Sequence, residues 1–190
     1  MGFRPTYRKP AVIGRPLAWY ARFFFYGLHG FFDEIAFTAV YDFVFLKPDV
    51  KLIGYTSLYT FVIYGLFSMI AERLYINMWY KHRVSIVIRM ISYLAIGYTW
   101  EFCWGLILRQ FDACSWDYSD IPLNVMGLIT FSYAPFWLLL SAYQEWVFEF
   151  IFKLRVILPS VPLSVREKLL LFRVGNEPMA EDDIIKDHDD

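Results

Sequence analysis

The chain has 190 residues, of which 58% are hydrophobic and 21% aromatic, and its formal net charge is −1. A soluble domain of this size has too little interior to bury so much apolar surface. The composition therefore excludes a soluble enzyme, a disordered chain and a disulfide-stabilised secreted domain. A lipid bilayer accommodates these residues, with Trp and Tyr side chains at its two interfaces. We predict an integral membrane protein that contacts the lipid bilayer and binds no nucleic acid.

The apolar residues fall into four long segments, which are residues 19–46, 52–78, 84–109 and 121–152. Each segment exceeds the ~20 residues that a helix needs to cross the hydrocarbon core of a bilayer. The sequence therefore predicts an all-α integral membrane fold, a four-transmembrane-helix bundle over residues 19–152. A basic tail, residues 1–18, precedes this bundle.

The Lys and Arg residues indicate the orientation, because basic residues concentrate on the cytoplasmic side of a membrane. Most of them lie in the N-terminal tail, around the second connection and after the fourth segment, whereas the first and third connections hold few. We therefore predict that both termini are cytoplasmic and that the third connection, residues 110–120, is lumenal or extracellular. The sequence does not predict which organelle's membrane holds the protein.

Two further segments follow the bundle. Residues 153–175 are basic, and after Pro159 and Pro162 the pattern of residues 164–173 predicts a short amphipathic helix on the membrane surface. A frayed tail is the alternative. Residues 176–190 hold seven acids and one Lys, which is typical of a disordered tail. Binding of a cytoplasmic protein partner by this tail is a further hypothesis.

The first and third segments match each other at an offset of 67 residues, and the second and fourth match at an offset of 73. The first offset aligns Arg22 with Arg89, Tyr26 with Tyr93, Gly30 with Gly97 and Glu34 with Glu101. The second aligns Gly54 with Gly127, Ser57 with Thr130, Ser68 with Ser141 and Glu72 with Glu145. Because two spans per unit preserve orientation, we interpret residues 19–78 and 84–152 as two parallel helical-hairpin repeats. The alternative is a chance match.

Several acids fall inside the predicted spans, where a mid-membrane charge costs ~2.5–3.5 kcal/mol on insertion scales. Glu34 and Glu101 each lie ~18 Å along the helix from an Arg at the predicted cytoplasmic end, near the bilayer middle. They should therefore face the bundle interior, be protonated or be paired. In the third segment, Gly97 and Gly105 flank Glu101 and predict a close approach of another helix. The candidate intramembrane polar site is Glu34, Glu101, His29, Asp33, Glu72 and Glu145.

Three hypotheses compete for this polar site. It can specify helix packing, in a scaffold or transport-associated protein with a buried acidic core, which is the leading interpretation. It can form a path for protons, cations or a small solute through Glu34 and Glu101. It can form a lipid-modifying active site with His29, Asp33 and Glu34, which is the least favoured because no nucleophile–base set accompanies it. We therefore predict no catalytic residues.

The third connection and the residues after it are rich in acids and aromatics, and Trp116, Asp117, Tyr118 and Asn124 are its candidate functional residues. Trp and Tyr suit a membrane interface, and Asp117 can cap the loop or bind a cation. The ligand spacing of a calcium loop is missing, so we expect the loop to pack over the bundle. With two separated Cys and three scattered His, we predict no metal site and no cofactor. A wide pore would need several copies of so small a bundle, which leaves a homo-oligomer open.

Four strings of residues carry a resemblance to a known family. They are YGLHGFFDE at 26–34, WEF at 100–102, ILRQFDAC at 107–114 and WDYS at 116–119, followed by Asn124 and Gly127. Over residues 19–152 the chain resembles the transmembrane protein 229 family, and its B-type members in particular. It is also distantly similar to bacterial membrane proteins that carry the family name ABC-transporter permease. The resemblance implies a multi-pass membrane protein and supplies no catalytic residues.

Overall fold

The computed structural model describes residues 14–46 and 50–156. The predicted surface helix at 164–173 and the acidic tail at 176–190 lie outside the described residues, as does most of the basic tail. Residues 18–148 form one compact unit, and the flanking parts of the chain group into a second.

Four α-helices make up most of the described chain, which confirms the predicted all-α class. They are α1 (Trp19–Tyr41), α2 (Leu58–Tyr75), α3 (Ile86–Arg109) and α4 (Ala134–Lys153). π-Helical turns extend α1 over Asp42–Leu46 and α2 over Ile76–Lys81, and a 3₁₀ turn, Phe131–Tyr133, leads into α4. Two antiparallel pairs of short strands complete the fold: β1 (Arg15–Pro16) with β4 (Arg155–Val156), and β2 (Asn124–Val125) with β3 (Ile129–Thr130).

Side-chain caps explain where two of the helices begin. The Ser57 hydroxyl accepts a hydrogen bond from the Tyr59 N–H at 3.3 Å, so α2 begins six residues after the start of the predicted segment at 52. The Thr130 hydroxyl accepts from the Ser132 N–H at 3.2 Å and caps the 3₁₀ turn that leads into α4. Caps of this kind satisfy N–H groups that the first helical turn leaves without partners.

The predicted fourth helix, 121–152, is wrong in its first part, where residues 121–133 form the β2–β3 hairpin and its flanking turns. Pro122 has no N–H, and Leu123, Met126 and Gly127 adopt φ values of 57°, 55° and 67°. Left-handed residues of this kind cannot continue a right-handed helix. The segment is apolar enough for a helix, but its backbone N–H and C=O groups form the hydrogen bonds of a β-hairpin instead.

Helix α3 has the composition of a membrane span. Among the described residues, it is the one helix that is long enough and apolar enough to cross a membrane by length and composition. Charged residues do not set α3 apart, because α1 carries Arg22, Asp33 and Glu34 and α3 itself carries Arg89, Glu101 and Arg109.

The closest helix seam joins α1 and α2. A Cβ on Gly30 would clash with the Tyr64 side chain, and one on Gly27 would lie 2.8 Å from the Phe61 ring. In contrast, a Cβ on Gly97 would have Phe67 as its nearest neighbour at 3.6 Å, and Gly105 faces Leu128 and Trp116 of the third connection and hairpin. The predicted close seam around Glu101 is therefore wrong, because small residues permit contact without saying which element makes it.

Candidate functional site

The first polar cluster ties α1 to α2 through Glu72. The Tyr26 hydroxyl donates to Glu72 Oε2 at 2.5 Å, and Arg22 Nε lies 3.1 Å from the same oxygen. Arg22 and Tyr26 stand four residues apart, which places both on one face of α1. Tyr26 is fully buried and Glu72 is 2% exposed. The charge of Glu72 is therefore matched by an arginine inside the protein.

The second cluster ties α3 to α4 through Glu145. Arg89 donates from Nε and Nη2 to the two carboxylate oxygens of Glu145, both at 2.7 Å, and the Tyr93 hydroxyl donates at 3.1 Å. Arg89 Nη1 also donates to the Val84 carbonyl at 2.6 Å, and the guanidinium lies over the Trp79 ring at 4.6 Å. This bidentate geometry is the strongest that Arg and a carboxylate adopt.

The two clusters have the same composition, an Arg and a Tyr on one helix with a Glu on the next. From the sequence alone, Arg22 and Arg89 mark the cytoplasmic ends of their helices. The sequence alone does not predict the partners of Glu72 and Glu145. The signal was present, because the offsets that align the arginines and tyrosines also align the glutamates. Two of the six candidate residues, Glu72 and Glu145, are thus in ion pairs that link helices.

Glu34 and Glu101 have a different environment. Glu34 lies near the hydroxyl groups of Thr56 and Thr60, and the Tyr118 hydroxyl donates to Glu101 Oε1 at 2.9 Å. The two carboxyl groups interact with each other electrostatically, although they stand on different helices, and both act on the Tyr64 hydroxyl. We call Glu34, Glu101 and Tyr64 the acidic site. In the described part of the chain the neighbours of these two carboxyl groups are hydroxyl groups, whereas Glu72 and Glu145 have arginine partners.

His29 and Asp33 are brought together as their spacing predicts, with His29 Nδ1 3.1 Å from Asp33 Oδ2. The other ring nitrogen, Nε2, lies 3.0 Å from the hydroxyl of Tyr143 on α4, and the two rings stack at 5.3 Å between centroids. Tyr143 stacks in turn on Trp146. No local pattern in the sequence marks Tyr143, because its role depends on how α4 packs against α1.

The third connection is held by its own polar side chains. Asp117 accepts from the Ser119 N–H at 3.0 Å and from the Ser119 hydroxyl at 2.6 Å. These bonds hold the pKa of Asp117 below its ordinary value. Arg109 donates to the Met126 carbonyl, and Asn124 accepts from the Gly127 N–H at 3.1 Å. The predicted loop residues therefore serve the loop structure, with Tyr118 as the exception.

The side chain of Tyr118 extends from the third connection to α3, where it contacts Glu101. Burial, followed by the charge of Glu101, raises the pKa of Tyr118 far above its ordinary value. The phenol therefore stays neutral at physiological pH and acts as a donor to Glu101. In the loop beside it, Trp116 Nε1 donates to the Leu128 carbonyl at 3.1 Å. No group of three His, Cys, Asp or Glu within residues 14–46 and 50–156 is arranged to hold a metal ion.

Comparison with known families places this arrangement in context. The family described as "Putative ABC-transporter type IV" matches residues 21–172. The chain belongs to this family. The match spans α2, α3, α4 and almost all of α1, and it includes both arginine clusters and the acidic site. It confirms the predicted similarity to bacterial ABC-transporter-type proteins and identifies an ABC-transporter-related membrane protein. No solved structure matches the chain.

Proposed function

We propose that all four helices span the bilayer, as two parallel helical hairpins with both termini in the cytoplasm. Membership of an ABC-transporter-related family supports this, as does the exposure of large apolar side chains on α1, α3 and α4. Examples are Phe32, Val87 and Leu139, each more than 60% exposed. Large apolar side chains that are exposed on several helices suit contact with lipid. Assignment to the transmembrane protein 229 family, with its B-type members, belongs to the same proposal.

The two arginine clusters support the repeat within this proposal. Each hairpin carries Arg and Tyr four residues apart on its first helix, and both contact a Glu on its second helix. A chance alignment of sequences has no reason to reproduce a three-residue contact. We therefore propose units at about 19–78 and 84–152, with the basic segments 1–18 and 153–175 and the acidic tail 176–190 outside the membrane.

Labelling of single cysteines tests this topology. In a Cys103→Ser/Cys114→Ser background, Val50→Cys, His82→Cys and Asp112→Cys each place one thiol in a connection. With four spans, a membrane-impermeant maleimide reaches Val50→Cys and Asp112→Cys from one side and His82→Cys from the other. If α3 alone crosses the membrane, Val50→Cys and His82→Cys react from the same side, which would overturn the four-span proposal.

For the function, we propose a transport-associated membrane protein whose acidic site binds a proton or a small cation. The observation that carries this is the electrostatic interaction between Glu34 and Glu101, from two helices, beside the Tyr118 hydroxyl that donates to Glu101 at 2.9 Å. Carboxylate and hydroxyl oxygens are the ligands that hard cations prefer, and two neighbouring carboxyl groups share a proton readily. An ionisable residue inside a span, rare because of its insertion cost, points to a functional site by default.

Ion-dependent stability tests binding at the acidic site. An ion at about 100 times its Kd stabilises the folded state by about 2.7 kcal/mol if it binds that state alone. We expect the unfolding midpoint of the purified wild type to depend on Na⁺, K⁺ or pH, and Glu34→Gln/Glu101→Gln to remove that dependence. Asp112→Asn is the matched control, because Asp112 is exposed and Asn tolerates its φ of 52°. Equal ion dependence in wild type and double variant would overturn the proposal.

A membrane scaffold is the second candidate, and the two arginine clusters favour it. They fix α1 to α2 and α3 to α4 with buried charge pairs, and such pairs specify an arrangement of helices more than they stabilise it. A folded wild type that shows neither ion dependence nor ion flux would shift the assignment to this scaffold.

A further inference from the structure

We infer that an ion reaches the acidic site from the side of the membrane that holds the first and third connections, and that Tyr118 positions Glu101 on this route. In the proposed topology both connections lie on the same side, which we call the outer side. The inference rests on the proposed function, because it concerns how an ion arrives at the acidic site and which residue orients the carboxylate that binds it.

Each glutamate of the acidic site has a neighbour in a connection. Glu34 lies near the hydroxyl group of Thr56, which precedes α2. Glu101 accepts from the hydroxyl group of Tyr118 in the third connection at 2.9 Å. Along α3, Glu101 is ~12 Å from the outer end at residue 109 and ~18 Å from residue 89, at a rise of 1.5 Å per residue. The acidic site therefore lies nearer the outer ends of the helices.

The third connection is negatively charged and exposed beside Tyr118. Residues 110–120 hold three acids, Asp112, Asp117 and Asp120, and no basic residue. All three acids are exposed, and the Asp117 side chain next to Tyr118 is 64% exposed. Negative charge on a surface raises the local concentration of cations there. The outer side therefore favours the approach of a cation or a proton.

The cytoplasmic side of the acidic site is closed by packing. One turn before Glu34, the α1 backbone at Gly30 lies so close to the Tyr64 side chain that a Cβ would clash. One turn further back, Tyr26 is fully buried and packs edge-on against Phe148, with 5.5 Å between the ring centroids. The carboxylates of the two arginine clusters are already paired with guanidinium groups, so they do not offer a cation a second route.

Tyr118 connects the two helices that carry the glutamates. Its hydroxyl group bonds Glu101 on α3, and its ring packs edge-on against Tyr133, with 5.8 Å between centroids. Tyr133 in turn packs against Phe37 on α1 at 6.4 Å. Phe37 lies three residues after Glu34, on the same face of the helix. Tyr118 thus lies between α1 and α3 on the outer side of the acidic site.

The β2–β3 hairpin fixes the backbone of Tyr118. The Tyr118 N–H donates to the Gly127 carbonyl at 2.8 Å. Gly127 has a φ of 67°, and a Cβ there would clash with side chains of the third connection, so this close approach requires glycine. The hairpin is held on α3 by the Tyr98 hydroxyl, which donates to the Thr130 carbonyl at 3.1 Å.

One hydrogen bond from Tyr118 orients the Glu101 carboxylate without filling it. A carboxylate has two oxygens with about four acceptor positions in all, so the bond at Oε1 leaves positions for an ion. A carboxylate that is already oriented loses less conformational freedom when the ion binds. The third connection is therefore part of the acidic site, through one side chain.

Side-specific thiol labelling tests the route. In the Cys103→Ser/Cys114→Ser background, Glu34→Cys places one thiol at the acidic site and keeps the Tyr118–Glu101 contact. We expect a membrane-impermeant methanethiosulfonate to modify this thiol slowly from the side that labels Asp112→Cys, and not from the side that labels His82→Cys. Adding Tyr118→Phe should speed the modification about tenfold, the effect of losing a hydrogen bond to a charged group.

Ion-dependent stability tests the positioning role. Tyr118→Phe, in the otherwise wild-type chain, should shift the ion concentration at half-maximal stabilisation about tenfold. Tyr98→Phe is the matched control, because it removes a hydroxyl that bonds the same hairpin through a carbonyl and leaves the donor to Glu101 in place. It should keep the wild-type ion concentration and speed the thiol modification less than Tyr118→Phe does.

The outcomes separate this inference from the proposed function. Modification of Glu34→Cys from the His82→Cys side, or from neither side even with Tyr118→Phe, overturns the route and leaves the ion dependence of the wild type in place. Equal effects of Tyr118→Phe and Tyr98→Phe overturn the positioning role. Ion dependence that persists in Glu34→Gln/Glu101→Gln overturns the proposed function and the positioning role with it, while the labelling still decides the route.

Discussion

Replacing Glu145 by leucine is expected to lower the free energy of unfolding by about 3–5 kcal/mol, because it leaves the Arg89 charge buried without its partner. Arg89 and Glu145 are 5% and 8% exposed, and their two hydrogen bonds measure 2.7 Å each. Unfolding in mixed micelles, followed by helical circular dichroism as SDS is raised, measures the change.

A double variant separates the charge from the packing. Arg89→Met/Glu145→Leu removes both charges, so it should cost less than Glu145→Leu alone. The matched control is the exposed pair of Arg109 and Asp117, whose side chains are 36% and 64% exposed and whose contact is 3.4 Å. Breaking that pair should cost about 0–1 kcal/mol. If Glu145→Leu costs as little as the exposed pair, the cluster does not fix α3 to α4.

Gly30→Ala is expected to destabilise the protein by about 1–3 kcal/mol, the usual cost of adding volume to a tight contact. Its new Cβ would meet the Cβ of Tyr64, which cannot move without the α2 backbone. Gly97→Ala is the matched control, because its Cβ would lie 3.6 Å from the Phe67 ring and alanine favours a helix. The same SDS unfolding assay compares the two.

Equal stability losses in the two alanine variants would contradict a closer seam at α1–α2 than at Gly97. A larger loss of stability in Gly97→Ala would place the closest helix contact at α3, the helix that carries Glu101, as the sequence alone predicts. Because the two glycines align at the 67-residue offset, the comparison also measures how far the two hairpins differ in packing.

The sequence predicted the features that depend on local composition and spacing. Four apolar segments predicted the four helices, and the strings around Glu34, Glu101 and Trp116 predicted a distant similarity to ABC-transporter-type membrane proteins, which the family match confirms. Membership of the transmembrane protein 229 family stays a prediction. The i, i+4 spacing of His29 and Asp33 predicted their contact. Four membrane spans, the cytoplasmic termini and the role of the acidic site stay predictions.

The remaining features depend on contacts between elements that are distant in the chain. Tyr143 reaches His29 across 114 residues, and apolar spacing within α4 gives no sign of it. Residues 121–133 are as apolar as a helix, yet Pro122 and three left-handed residues fold them into a hairpin. Arg22 and Arg89 look like interfacial anchors in the sequence, because the buried carboxylates that bind them lie on other helices.

Flux through the reconstituted protein tests the central claim most directly. Wild type and Glu34→Gln/Glu101→Gln are placed in liposomes with pH-sensitive and cation-sensitive dyes, after circular dichroism has shown that both fold. We expect ion flux from the wild type and its loss in the double variant, with Asp112→Asn conducting normally. Equal flux from both proteins, or none from a well-folded wild type, would contradict a transport role for the acidic site.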